Sequence, residues 1–240
     1  MTTTFIEACS LAKSFGCVKA VDSISLRVER GTIVGLLGVN GAGKTSLMRL
    51  LSGALSPDHG IALIAGADVH RAPRTARAML GYLPEAAAGF SKLTVREFLT
   101  FAAQGRGVGC PAVARAVSAA ADRLDLVPAL DRVMGTLSKG WRQRAWLAQA
   151  IIHDPPAMVL DEPTDGLDPS QKSELRAFLR EAAQTKAILM STHILEEAEA
   201  LCDRIVVISG GRVAADAPLS ELCSPGGRLT ATFDRLSAAS

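Results

Sequence analysis

Three short stretches of this chain carry residue types that could act on a phosphate group. Gly38 to Thr45 reads GVNGAGKT, a glycine-rich loop in which a lysine and a hydroxyl follow directly on the glycines. Gly41 and Gly43 permit a tight turn that points successive backbone N–H groups, those of Asn40 and Ala42 among the neighbours, at one anion. Lys44 supplies a point charge between the β- and γ-phosphates of a nucleotide. Thr45 offers a hydroxyl to Mg²⁺, and the helix that starts there, with Ser46 in its first turn, aims its positive end at the same anion. The spacing satisfies G-x-x-x-x-G-K-[ST], whose chemistry is the binding of a nucleoside triphosphate.

The second stretch, PAMVLDE from Pro156 to Glu162, is an apolar run ending in two acids. Asp161 at its carboxyl end would hold Mg²⁺, because a hard cation prefers carboxylate oxygen. Glu162 is placed to take a proton from an attacking water. A single acid after an apolar strand commonly just caps a loop; beside a phosphate loop, the catalytic reading is the better one. The third stretch puts His193 after AILMS, again at a strand's carboxyl end, where ligands bind in open α/β sheets. His59, His70 and His153 adjoin turn-like residues and take a structural reading.

These residues need a sheet to position them. Ile24, Leu26 and Val28 alternate with Ser25, Arg27 and Glu29, the pattern of a half-buried antiparallel strand in an N-terminal β region. IVGLL, before the phosphate loop, reads as a strand buried on both faces. Ile61 to Ile64 reads as a further strand closed by Gly66. From Pro84 to Pro156 the pattern turns helical, in VREFLTFAAQ and the alanine-rich PAVARAVSAAADRL. Strands and helices then alternate: MVLD, a helix from Ser173 to Ala183, AILMS, a helix around Leu195 to Leu201, and IVVIS. Such alternation predicts a mainly parallel sheet with helices on both faces. Gly210-Gly211 before RVAAD predicts a closing hairpin, and LTATF in the final segment a weak strand.

Composition narrows the classes. At 240 residues, 48% hydrophobic and 21% charged, the chain has a globular balance. Its apolar runs are strand-length, well short of the roughly 20 residues a membrane span needs, and no signal peptide is evident at MTTTFIEACS. The expectation is a cytoplasmic protein. A net charge of +2 gives no argument for nucleic acid. Five scattered cysteines without a C-x-x-C pair predict reduced thiols, not a metal or disulfide site.

With these motifs in place, the chain resembles the ATP-binding subunits of ABC transporters over nearly its whole length. LSKGW at Leu137 to Trp141 is similar to the family's LSGGQ signature, DGLD at Asp165 to Asp168 to its D-loop, and Ser191-Thr192-His193 to its switch-histidine motif. The resemblance implies an α/β P-loop NTPase fold. Its parts would be a mainly parallel core, an N-terminal antiparallel β subdomain, and an α-helical subdomain inserted at about 85–155. One ATP-binding domain would then cover 1–240, with 226–240 a tail of unassigned structure.

The same resemblance makes His193 a γ-phosphate contact and Phe15 the aromatic that stacks on adenine. Ser138 and Gly140, at a helix start, would meet the γ-phosphate of ATP held by the phosphate loop of a second subunit. Two ATP molecules would thus join a head-to-tail dimer that opens on hydrolysis, with Asp168 between the two sites. A separate membrane permease would carry the substrate, keeping this subunit at the inner face of the membrane. AAAGFSKLTVREF would form the groove that receives the permease's coupling helix.

The chain departs from the family pattern at three points. Lys139 replaces a signature glycine, to add a cation near the γ-phosphate or to face solvent. Trp141 replaces the usual glutamine, with packing against the helical lobe as its plain role. Glu85, in GYLPE, stands where most relatives carry the Q-loop glutamine; its carboxylate can still ligate Mg²⁺ while repelling the γ-phosphate. These marks resemble exporter-type members and favour the energy-coupling subunit of an exporter. The alternatives are a soluble mechanical switch, an ATP-gated scaffold without turnover and a P-loop phosphotransferase. The last leaves the signature, D-loop and His193 unexplained.

Overall fold

The run IVGLL has no polar side to turn toward water, so a strand built from it needs apolar cover on both faces. The computed structural model describes residues 3–85, 89–223, 229–230 and 233. In chain order the first elements are β1 (Thr4–Phe15), β2 (Val18–Glu29), β3 (Ile33–Leu37), α1 (Lys44–Leu51), β4 (His59–Ile64), β5 (Ala67–Asp68), α2 (Pro73–Ala78) and β6 (Leu80–Leu83). Three longer helices follow, α3 (Val95–Gly105), α4 (Cys110–Arg123) and α5 (Lys139–Ile151). The chain then runs through β7 (Ala157–Leu160), α6 (Pro169–Ala183), β8 (Ala187–Ser191), α7 (Leu195–Leu201), β9 (Arg204–Ser209), β10 (Arg212–Pro218) and α8 (Leu219–Leu222).

Two sheets form, one of strand order β2-β1-β4-β5 and one of order β10-β9-β3-β8-β7-β6. The first is antiparallel throughout. The second is parallel from β9 to β6, with β10 folded back antiparallel through Gly210-Gly211 as the hairpin reading predicts. In β3 all five residues are buried. Ile33 and Leu37 join a core shared with α3 to α7, while Val34 and Leu36 join a core shared with α1 and the antiparallel sheet. The two faces of the parallel sheet are therefore covered differently: helices on one, α1 and a second sheet on the other.

That cover holds the phosphate loop at both ends. Before the loop, β3 is locked between β8 and β9. After it, Leu47, Met48, Leu50 and Leu51 bury the inner side of α1, each contributing roughly 1.5–3 kcal/mol by leaving water. Since β3, β7 and β8 are parallel and in register, with Leu36 beside Ser191 and Leu160 beside Met190, their carboxyl ends open at one edge of the sheet. All three chemically interesting stretches emerge there.

Two local expectations are corrected. The helix expected from Ser173 begins at Pro169, because Asp168 and Gln171 cap it reciprocally. LTATF is not a strand where it is described: Phe233 N donates to Leu229 O, a helical turn that buries Leu229. The rest of the 226–240 tail lies outside the described residues.

Candidate functional site

The phosphate loop is shaped by backbone that only glycine accommodates. Gly43 has φ +107°, and a Cβ there would collide with the carbonyl oxygen of Ala20. Gly211 N donates to Ala42 O at 3.1 Å and Asp22 N to Gly211 O at 2.8 Å, tying the loop to β2 and to the β9–β10 hairpin. The helix begins at Lys44, one residue earlier than expected. Lys44 is 8% exposed, and its Nζ donates to Gly38 O at 2.6 Å and to Val39 O at 3.2 Å. Burial lowers its pKa, against the opposing pull of Glu162, Asp161 and Glu85.

A cleft of about 250 Å³ opens beside it, lined by Ala20, Asn40 to Ser46, Glu85, Asp161 and Glu162. Asp161 is 1% exposed. Its Oδ1 accepts from Ser191 Oγ at 2.6 Å, and its Oδ2 is buried without a hydrogen-bond partner. Burial raises its pKa, the cost of a carboxylate removed from water. Thr45 Oγ1 donates to Glu85 Oε2 at 3.2 Å, so the Q-loop acid does reach the phosphate loop.

These donors suit Mg²⁺. They are all hard oxygens, and the unpartnered Asp161 oxygen is one that a cation would satisfy. Among the described residues no cluster of three or more His, Cys, Asp and Glu side chains could hold a metal ion. Mg²⁺ here would draw on the Thr45 hydroxyl, water and phosphate oxygens, as it ordinarily does in nucleotide sites.

Glu162 sits in the left-handed region at φ +49°, a conformation an L-residue adopts at a cost and that tends to mark working sites. Ser191 Oγ accepts from Glu162 N at 2.9 Å, and His193 Nδ1 lies 3.0 Å from Glu162 Oε2. A neutral ring with its proton on Nδ1 leaves Nε2 an acceptor. A contact from Nε2–H to a phosphate therefore needs the other tautomer or the imidazolium.

The signature residues lie elsewhere. Ser138 caps α5, its Oγ accepting from Trp141 N at 3.4 Å. Neither Ser138, Gly140 nor Asp168 lines the cleft with the phosphate loop. Gly140 is pressed against the D-loop side: a Cβ on it would stand 2.8 Å from Gln171 Oε1 and 3.3 Å from Gly166 O. Asp168 is the cap of α6, with its Oδ1 2.9 Å from Gln171 N. Lys139 faces solvent, one of its two expected roles, with its side chain 65% exposed; its Nζ pairs with Asp165 at 2.7 Å, and its stem lies over Gly166. Trp141 packs on the helical core, as expected, with the Arg144 guanidinium 5.8 Å from its ring centre. Phe15, at the end of β1, is 51% exposed, with the Lys13 ammonium over its ring at 6.0 Å from the centre.

A family model described as ABC transporter matches residues 21–165, more than half of the chain and the stretch that holds the phosphate loop, the signature and the acid pair. The chain belongs to the ABC transporter family. ABC proteins of this kind bind ATP and hydrolyse it to power transport, and their ATP-binding subunits work with membrane components. The chain is 37% identical over 213 residues to YxlF, an uncharacterized ABC transporter ATP-binding protein of Bacillus subtilis, covering 89% of this chain and 70% of that one. It is 35% identical over 207 residues to the ABC transporter ATP-binding protein NatA of the same organism, covering 85% and 84%. Against a Nod factor export ATP-binding protein I of Paraburkholderia xenovorans it is 37% identical over 223 residues, covering 92% and 73%. A solved ATP-binding subunit of an ABC transporter superposes with a TM-score of 0.88 at 30% identity, over 97% of this chain and 99% of that chain.

Two further polar residues tie this ABC ATPase site together. Ser191, in the sequence only one member of a motif, joins Asp161 to Glu162 through its hydroxyl. Gln143, buried on α5, donates through Nε2 to Glu162 O at 3.1 Å and to Pro163 O at 3.3 Å. A signal for Gln143 was available: with Leu147 and Ala150 it falls on one helical stripe that is otherwise apolar.

Proposed function

We propose that this chain is the ATP-hydrolysing subunit of an ABC exporter. In this reading it pairs head-to-tail with a second copy or a related subunit and drives a separate membrane permease from the inner face of the membrane. The observation that carries the hydrolytic part is the edge where β3, β7 and β8 end. There an unpartnered Asp161 oxygen, the Lys44 ammonium and the Glu162 carboxylate face one cleft, and His193 contacts Glu162 from outside its lining.

Lys44 exchanges the carbonyls of Gly38 and Val39 for phosphate oxygens, and the N–H groups of Gly41 to Ser46 complete the cradle. Thr45, Asp161 and Glu85 are the residues that would hold Mg²⁺, which neutralises charge on the phosphates when bound. Glu162 takes a proton from water as the water oxygen bonds to the γ-phosphorus and the bond to the bridging oxygen of ADP breaks. His193 fixes the Glu162 carboxylate through the 3.0 Å contact and reaches toward the γ-phosphate. Phe15 stacks on the base. Ser138 and Gly140 serve the nucleotide of the partner subunit, with Asp168 between the two sites.

Support for a membrane partner comes from the surface after the Q-loop. Phe90 and Phe101 are 40% and 56% exposed, and the Phe90 ring continues into Phe98 and Trp146 of the helical core. Residues 86–88 of the expected groove lie outside the described residues. Among the described residues no helix is long and apolar enough to cross a membrane. The export direction follows the Nod factor export relatives and the GYLPE and LSKG marks.

Glu162→Gln is the deciding variant. Turnover should fall by about 10²- to 10⁴-fold, the worth of a positioned general base, while ATP drives the chain into a stable dimer seen by size-exclusion chromatography. Wild-type turnover in that variant would sink the assignment. Ser138→Arg should leave ATP binding intact and abolish the dimer; unchanged dimerisation would remove the signature from the interface.

A further inference from the structure

Glu197 is a carboxylate that the scheme above does not use, and it is 1% exposed. A charge so buried must be paired and hydrogen-bonded to persist, and its two threonine partners lie beside the residues read as the hydrolytic pair. Its Oε2 accepts from Thr164 Oγ1 and, at 3.3 Å, from Thr192 Oγ1. Its Oε1 accepts from Lys172 Nζ at 2.8 Å. Thr164 stands two residues after Glu162 and directly before the D-loop, from which Leu167 N donates to Thr164 O at 3.2 Å. Thr192 precedes His193, and its hydroxyl also accepts from Ile194 N at 3.1 Å. Lys172 belongs to α6, the helix that Asp168 caps.

The Glu162–His193 contact joins two irregular segments. Glu162 is in a strained left-handed conformation, and the His193 side chain is 58% exposed, so packing alone does not set their separation. One buried carboxylate grips both segments, and through Lys172 it also grips the helix behind the D-loop. We infer that Glu197 is a positioning residue for hydrolysis: it holds the Glu162 loop and the His193 loop in mutual register and links that register to the D-loop. The inference rests on the reading of Glu162 and His193 as the hydrolytic pair. A role in stability alone is the weaker account, since a buried ion pair contributes little net stability over an apolar replacement.

The test compares wild type, Glu197→Gln, Lys172→Met and the double variant in ATP turnover, KM for ATP and thermal midpoint. Turnover is expressed per nucleotide-binding site titrated with a fluorescent ATP analogue, so that unfolded chains do not count. Glu197→Gln keeps the volume but removes the charge and turns one acceptor oxygen into a donor, so both threonine hydroxyls must reverse or lose their bonds. It should lower kcat about tenfold to a hundredfold, as small misplacements of reacting groups do, with KM within about twofold. In the double variant neither charge is left unpaired, so the midpoint should recover toward wild type while kcat stays low. A fall in kcat of less than about fivefold, or a KM that rises more than kcat falls, overturns the inference. So does a double variant whose kcat returns to wild type. Glu162→Gln, run alongside, separates the two readings. If it turns over normally, the general-base assignment fails; if it is silent while Glu197→Gln is fully active, the positioning role alone fails.

Discussion

Replacing Ser191 by alanine removes one oxygen that two groups of the site share. Ser191 Oγ donates to Asp161 Oδ1 at 2.6 Å and accepts from Glu162 N at 2.9 Å, all with Ser191 fully buried. The first bond is to an ionised carboxylate, worth about 1.5–3 kcal/mol, and its loss leaves Asp161 with both oxygens unpartnered. The second leaves a backbone N–H unpaired beside a strained residue, about 1 kcal/mol more. The expected destabilisation is therefore about 3 kcal/mol, or a fall in thermal midpoint of roughly 6–12 °C for a chain of this size. Saturating Mg-ATP should recover the larger share of that fall, because a cation on Asp161 replaces the missing donor, whereas the Glu162 amide gains nothing. The penalty should also shrink on acidification, since burial already raises the pKa of Asp161 and a protonated carboxyl no longer needs that donor. Differential scanning calorimetry with and without Mg-ATP, repeated at lower pH, measures all three. A midpoint within 2 °C of wild type, or an equal loss with and without Mg-ATP, would refute the argument.

Other perturbations probe the neighbouring contacts. Lys139→Ala breaks an ion pair whose side chains are 65% and 46% exposed, so it should cost at most about 1 kcal/mol and keep turnover within a few-fold; a loss as deep as that of Glu162→Gln would put Lys139 on a phosphate. Gly140→Ala drives a Cβ to 2.8 Å from Gln171 Oε1, which should break half of the α6 cap at about 1 kcal/mol and reduce turnover more than ATP affinity. The reverse order of effects would detach Gly140 from the hydrolytic cycle. For His153, burial first and the charge on Arg106 second lower the pKa from 6.5 to about 4. The unfolded chain then takes up the proton first, so stability should fall as pH drops from about 6.5 through 4, by of order 2 kcal/mol once residual solvent contact is allowed for. His153→Gln should flatten that part of a pH-denaturation profile, and an unchanged profile would show that the ring is not the titrating group.

Sequence alone determined the fold class and most of the cleft, because those signals are local. Glycines at 41 and 43, the lysine and hydroxyl after them, and two acids closing an apolar run are legible as a phosphate loop and its carboxylates wherever they occur. The period-two pattern in β2 and the unbroken apolar run in β3 likewise dictate one face or two to be covered. What covers those faces was not legible: a second sheet joins α1 over one of them, and its placement depends on β4 pairing with β1 and β5 with β4.

The same distinction runs through the site. Ser191 became a bridge between Asp161 and Glu162, Glu85 reached Thr45, Lys139 turned to Asp165, and Glu197 gathered two threonines and a lysine. All but the Thr192–Glu197 bond join segments distant in the chain. They are set by the register of the parallel strands and by how α5 and α6 pack behind them, and no periodicity or spacing within a segment records that. A hydrogen bond depends on tenths of an ångström between groups that only tertiary packing brings together; a residue's type tells what bond it can make, and the fold decides with whom.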